Sequence, residues 1–133
     1  MKQKPHLSDI AWVAFGGMIG ACMRHFTNLF VANISDSPFL ITATAIENIL
    51  GSFLIGLIFT ILKKRADKSP QMSLFLLTGI IGSYTTYSGF MIEAFINTGN
   101  SIYIMLMYMF TQILSGIIAV MGGIYLAKKM MRS

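Results

Sequence analysis

Four apolar runs, each as long as the hydrocarbon core of a bilayer is thick, leave this chain little choice of solvent. They cover residues 10–31, 39–62, 72–96 and 101–127. A helix rises about 1.5 Å per residue, so about 20 apolar residues cross a core of about 30 Å. The connections between them are short: 32–38 holds Asn, Ser, Asp and Pro, 63–71 is basic, and 97–100 reads Asn-Thr-Gly-Asn. Only 11% of the residues are charged and 55% are hydrophobic, where a soluble domain carries roughly a quarter charged residues. The expected fold class is an all-α membrane protein, a single four-helix transmembrane domain over residues 1–133 with no room for a separate soluble domain. The N-terminal stretch leads into a full-length span without a small-residue cleavage site, so it is expected to be retained rather than removed as a signal.

The charges are distributed with one sign of bias. Lys2 and Lys4 precede the first span, Lys63, Lys64, Arg65 and Lys68 join the second to the third, and Lys128, Lys129 and Arg132 follow the fourth. The other two connections hold no Lys or Arg. The positive-inside rule then predicts a multi-pass protein of the cell membrane with both termini cytoplasmic. The net charge of +5 is confined to the ends and one loop, which argues for a topology signal and against nucleic-acid binding. The single cysteine, Cys22, lies in an apolar run and reads as a small packing residue.

Polar residues inside the spans are the candidate functional groups. The third span reads Gly79-Ile80-Ile81-Gly82-Ser83-Tyr84-Thr85-Thr86-Tyr87-Ser88-Gly89-Phe90, a glycine- and hydroxyl-rich stretch at mid-bilayer. Non-helical backbone is tolerated at that depth only where protein buries it or it lines a polar cavity, so a helix break is expected here. The alternative is a continuous helix whose Ser and Thr bond back to their own carbonyls. In the second span Thr44, Asn48 and Ser52 recur every four residues, with Gly56 continuing the face. Gly16 and Gly20 form a GxxxG pair, a common packing signal. Arg24, Glu47 and Glu93 are ionisable residues within spans. Arg24 and Glu93 are placed toward span ends, whereas Glu47 is deeper and needs a partner, a cavity or a proton. Tyr108 and Gln112, one turn apart, add to the polar inventory of the fourth span. No nucleophile–base pair, metal-ligand cluster or phosphate loop is present in the sequence, so an enzyme is not expected.

Three stretches resemble the signatures of the CrcB/Fluc fluoride channel family, in the family's order. Gly16-Gly17-Met18-Ile19-Gly20-Ala21-Cys22-Met23-Arg24 is similar to GGxxGAxxR. Thr44 to Gly56 is similar to Thr-x-x-x-Asn-x-x-Gly-Ser-Phe-x-x-Gly, and Gly82 to Phe90 to Gly-x-x-Thr-Thr-Phe-Ser-Thr-Phe, with an acid three residues on at Glu93. The resemblance implies an antiparallel, dual-topology-type dimer of four-helix subunits, with a break in the third helix. It implies fluoride pathways between the subunits and passive export of fluoride from the cytoplasm. It also implies a structural sodium ion (Na+) at the dimer centre, held by the backbone carbonyls of Gly82 and Thr85. The pathway positions it implies are Asn48, Tyr87, Phe90 and Tyr108. The hydroxyls of Thr44, Thr86 and Ser88, the amide of Asn48 and the positive edges of aromatic rings are suited to replace the water of a small, strongly hydrated anion. Gln112 belongs to the same expected lining.

Four positions depart from the family pattern. Tyr87 stands where the family has Phe, Gly89 where it has Thr, Glu47 where an aliphatic is usual and Gln112 where Ser is usual. An ionised Glu47 facing the pathway would repel an anion by on the order of several kcal/mol at short range, closing one pore. The charge bias also fixes a single orientation, so the expected partner is an oppositely oriented homologous subunit in a heterodimer, failing which a homodimer. The competing readings are a non-conducting structural subunit of such a channel and a small proton-coupled multidrug exporter. The latter resembles this chain in span number but carries a functional glutamate in its first span, which is absent here.

Overall fold

The computed structural model describes residues 6–34, 42–64, 70–96 and 101–132. Lys2, Lys4, Arg65, Lys68, the start of the second apolar run and most of the connections lie outside the described residues. Among the described residues every element is helical: α1, Leu7–Ile34; α2, Ala43–Lys64; α3, residues 70–84; α4, Tyr87–Ile96; and α5, Ile102–Met130. Helix α3 has three parts, a first turn at Pro70–Ser73, a widened π-helical stretch at Leu74–Ile81, and a last turn at Gly82–Tyr84.

Helix α1 runs three residues past each end of its apolar run, and α5 three residues past the C-terminal end of its own. At the start of α1 the Asp9 carboxylate accepts the His6 backbone N–H at 3.2 Å, satisfying a donor at the helix N-terminus. Among the described residues α2 and α5 combine the length and mean hydropathy, 2.0 each, to cross a bilayer. Helix α1 is 28 residues long but is diluted by Arg24, His25, Thr27 and Asn28. The third apolar run is divided between α3 and α4, so neither piece reaches the length alone.

Two parallel helix pairs make the bundle. Helix α1 lies along α3, and α2 along α5. In the first pair Gly16 meets Phe75 and Gly79, Gly20 meets Ile80, and the Thr27 hydroxyl pairs with that of Tyr84. A β-carbon at Gly16 or Gly20 would overlap the carbonyl of Phe75 or Ile80. In the second pair Gly56 abuts the Val120 carbonyl and Gly123 abuts that of Phe53. These are small-residue seams of the kind lipid solvent favours, since apolar side chains gain little by leaving lipid for protein and close backbone packing must supply the association. Helix α3 runs against α2, with Ile81 and Thr85 beside Gly51 and Thr86 beside Asn48. The C-terminal ends of α2 and α5 therefore share one end of the bundle with the start of α1.

Substituting Gly123 by Val is expected to destabilise the bundle by about 1–3 kcal/mol through forced separation of α2 and α5. Cys22→Ala, at an exposed position, is expected to stay within about 0.5 kcal/mol of the parent. Detergent-unfolding titrations read by the fluorescence of Trp12, which packs edge-on to Phe75 at 5.8 Å, measure both.

Candidate functional site

The site is built where α3 stops and α4 begins. Thr85 takes an extended conformation, φ −79° and ψ 152°, which turns the chain out of the helix after Tyr84. Its own N–H and hydroxyl both still donate to the Ile81 carbonyl, each at 3.0 Å. Its methyl fits against Gly51, where a β-carbon would collide with it. The next donor is diverted: the Thr86 N–H goes to Asn48 Oδ1 at 2.9 Å, while Asn48 Nδ2 donates back to the Thr86 carbonyl at 3.0 Å. The Thr86 hydroxyl then accepts the Gly89 N–H at 3.1 Å, acting as the N-cap of α4.

These two diversions have a common result. In a continuous helix the Thr86 and Gly89 N–H groups would serve the carbonyls four residues earlier, those of Gly82 and Thr85. Both carbonyls lose those donors. Among the described residues no group of His, Cys, Asp and Glu side chains could hold a metal ion. Backbone oxygens without those donors are the kind of ligand a hard cation takes.

Beside the junction, Asn48, Ser52, Thr86, Tyr87 and Phe90 line an open cavity of about 280 Å³. Helix α4 carries the two aromatics into it. Phe90 is buried, whereas Tyr87 is 73% exposed, and their ring centres lie 6.1 Å apart. Phe90 stacks in turn on Tyr108 of α5 at 5.9 Å. The Tyr108 hydroxyl donates to Glu93 Oε2 at 2.9 Å and accepts from Gln112 Nε2 at 3.4 Å. Gln112 Oε1 is buried without a hydrogen-bond partner. The Ser88 hydroxyl pairs with that of Thr86 at 3.2 Å. Thr44 is buried, and a β-carbon at Gly89 would come within 3.2 Å of its hydroxyl oxygen. The polar residues of α2 thus divide: Thr44, Asn48 and Ser52 face the junction and its cavity, and Gly56 belongs to the seam with α5.

Glu47 points elsewhere. It is fully buried, and its Oε1 accepts from Asn28 Nδ2 of α1 at 2.8 Å. Its Oε2 has no partner, and it is absent from the cavity lining. Asn28 belongs to no motif, and its signal in the sequence is only that Thr27 and Asn28 interrupt an apolar run. Glu93, placed near a span end by its position in the sequence, is anchored to Tyr108 across the α4–α5 interface.

The chain matches the family described as CrcB-like protein, Camphor Resistance (CrcB), over residues 11–124. It belongs to the CrcB family. That match takes in the junction, the aromatic residues and both glycine seams, and it makes the chain a membrane-embedded protein. A relative from Flavobacterium psychrophilum named fluoride-specific ion channel FluC is 34% identical over 125 residues, covering 93% of this chain and 100% of the relative. One of the same name from Chlorobium chlorochromatii is 39% identical over 126 residues, covering 92% and 95%. A third, from Ruminiclostridium cellulolyticum, is 44% identical over 85 residues, covering 64% and 65%.

Removing the side-chain amide with Asn48→Ala is expected to destabilise the CrcB fold by about 1–3 kcal/mol, since it leaves the Thr86 N–H and carbonyl without their partner. Ser88→Ala, which removes one exposed hydroxyl pair, is expected to cost under about 0.5 kcal/mol. The Trp12 titration ranks the two.

Proposed function

We propose that this chain is a subunit of a fluoride-specific ion channel that lets fluoride leave the cytoplasm passively and so lowers its toxicity. It acts as a channel and not as an enzyme. The names carried by its relatives point to the ion, and the observation that carries the reading is the polar junction between α3 and α4. Tyr87, Ser88 and Gly82 are exposed there, on a chain whose surroundings are hydrocarbon. Irregular backbone and polar side chains at that depth call for a protein cover or a water-filled path. A second subunit docked over the junction supplies the cover and turns the open cavity into a passage.

The chemistry of the lining fits a small, strongly hydrated anion. Fluoride gives up water only where donors replace it, and Asn48, Ser52, Thr86 and Ser88 present amide and hydroxyl groups beside Tyr87 and Phe90, whose ring edges are positive. Thr44, Tyr108 and Gln112 continue the polar series behind Phe90. A sodium ion on the Gly82 and Thr85 carbonyls would contribute fixed positive charge at the junction. Glu47, held against Asn28, leaves the cavity free of an opposing carboxylate. That favours conduction through this subunit over a purely structural role.

The membrane topology follows the charge bias: four spans, both termini cytoplasmic. Every copy inserted in one direction lacks an inverted twin, so the partner is a homologous subunit with the opposite orientation. Liposomes holding this chain together with such a homologue are expected to release fluoride and retain chloride, with Phe90→Ile lowering the fluoride rate at least about tenfold. Release by this chain alone at the rate of the pair would refute the heterodimer, and equal release of the two halides would refute the selectivity.

A further inference from the structure

A second built feature lies at the far end of the bundle from the junction. There the last turns of α2 and α5 part around a cavity of about 420 Å³ lined by Thr60, Lys63, Lys64, Lys128, Met131 and Arg132. Lysines in a last helical turn ordinarily need no explanation beyond the helix dipole, which favours cations there. Here four cationic side chains border a single cavity, Lys63 and Lys64 from the last turn of α2, Lys128 from that of α5 and Arg132 from the turn that follows it, and Lys129, next to Lys128, does not. Among the described residues no Asp or Glu lines it. Lys64 Nζ reaches the Met131 carbonyl at 3.4 Å, tying the two helix ends together across the opening. Lys128 and Arg132 lie beyond residues 11–124, the stretch matched by the family, so this cavity is in part a property of the chain's own C-terminal end.

The level of the cavity says what anion it meets. Helices α2 and α5 are the two long, strongly apolar helices, and the cavity opens where their apolar residues give way to lysine, at the depth of lipid headgroups. Tyr125, 70% exposed one turn before Lys129, is the type of residue that settles at that interface. Phe59 and Met121 are exposed lower on the same helices and offer apolar surface for acyl chains. We propose that this cavity is a binding site for an anionic phospholipid, its phosphodiester headgroup held by Lys63, Lys64, Lys128 and Arg132 and its chains laid along α2 and α5. Basic pockets between helices at a membrane surface recognise anionic headgroups in this way.

Native mass spectrometry of the purified chain in non-ionic detergent, with added dioleoyl-phosphatidylglycerol or dioleoyl-phosphatidylcholine, tests the site. The parent is expected to retain phosphatidylglycerol at least about tenfold better than phosphatidylcholine. Lys128→Gln is expected to weaken that retention about fivefold, and Lys64→Gln with Lys128→Gln and Arg132→Gln about a hundredfold, on the usual contribution of each basic residue near an anionic lipid. Lys129→Gln is expected to leave it unchanged, and the Trp12 unfolding curve of each variant reports whether the bundle is intact. Equal retention of the two lipids would overturn the proposal. So would an equal loss from Lys129→Gln and Lys128→Gln, which would mean a diffuse charge effect. Displacement of the lipid by millimolar inorganic phosphate would overturn the lipid assignment in favour of a free-phosphate site.

Discussion

One side-chain amide sets the course of the chain at the centre of this protein. Asn48 donates to the Thr86 carbonyl and accepts from the Thr86 N–H, so it satisfies at one stroke the backbone group that a continuous helix would have used internally. With that donor occupied, α3 ends at Tyr84 and α4 begins at Tyr87. The Thr86 hydroxyl completes the arrangement by capping α4. The released carbonyls of Gly82 and Thr85 and the placement of Tyr87 and Phe90 beside the cavity both follow from this exchange of hydrogen bonds.

The exchange is affordable only because the rest of the bundle is held by backbone proximity. In lipid there is no hydrophobic gain from pressing Leu against Leu, so association rests on dispersion and on close fit. Gly16, Gly20 and Gly79 bring α1 and α3 together, and Gly56 and Gly123 do the same for α2 and α5. The two parallel pairs are in contact at the junction, where Gly51 makes the hollow that the Thr85 methyl fills. The same economy of small residues leaves the polar side of the junction uncovered within one chain, which is why a second subunit belongs to the reading of its function.

Charge is handled in two ways along the chain. Among the described residues the two glutamates each have a hydrogen-bond donor from another helix, Asn28 for Glu47 and Tyr108 for Glu93. At one end the cations gather, with Lys63, Lys64, Lys128 and Arg132 around a shared cavity. The first arrangement keeps negative charge away from the lined cavity beside Asn48. The second gathers positive charge at the C-terminal ends of the two most apolar helices.

Much of this was legible in the sequence, and the boundary is physical. Run length gave apolar helices, two of them long and apolar enough to cross a membrane, and the periodicity of Thr44, Asn48 and Ser52 gave a polar face, because both depend on local helix geometry alone. The motif stretches were enough to indicate the family, since residue types at fixed spacing survive without coordinates. What α1 contributes was not legible: Asn28 and Thr27 act through Glu47 and Tyr84, 19 and 57 residues away, and no local pattern encodes such pairs. Glu47 and Asn48 make the point most sharply, as neighbours in sequence on one helix. A turn of about 100° per residue separates their directions, and only the packing of α1 and α3 around α2 decided that Asn48 meets the junction while Glu47 is buried against Asn28. By itself, the sequence determined that polar groups stand within apolar helices; the tertiary structure decided which of them face one another, because that depends on how the helices are rotated and paired.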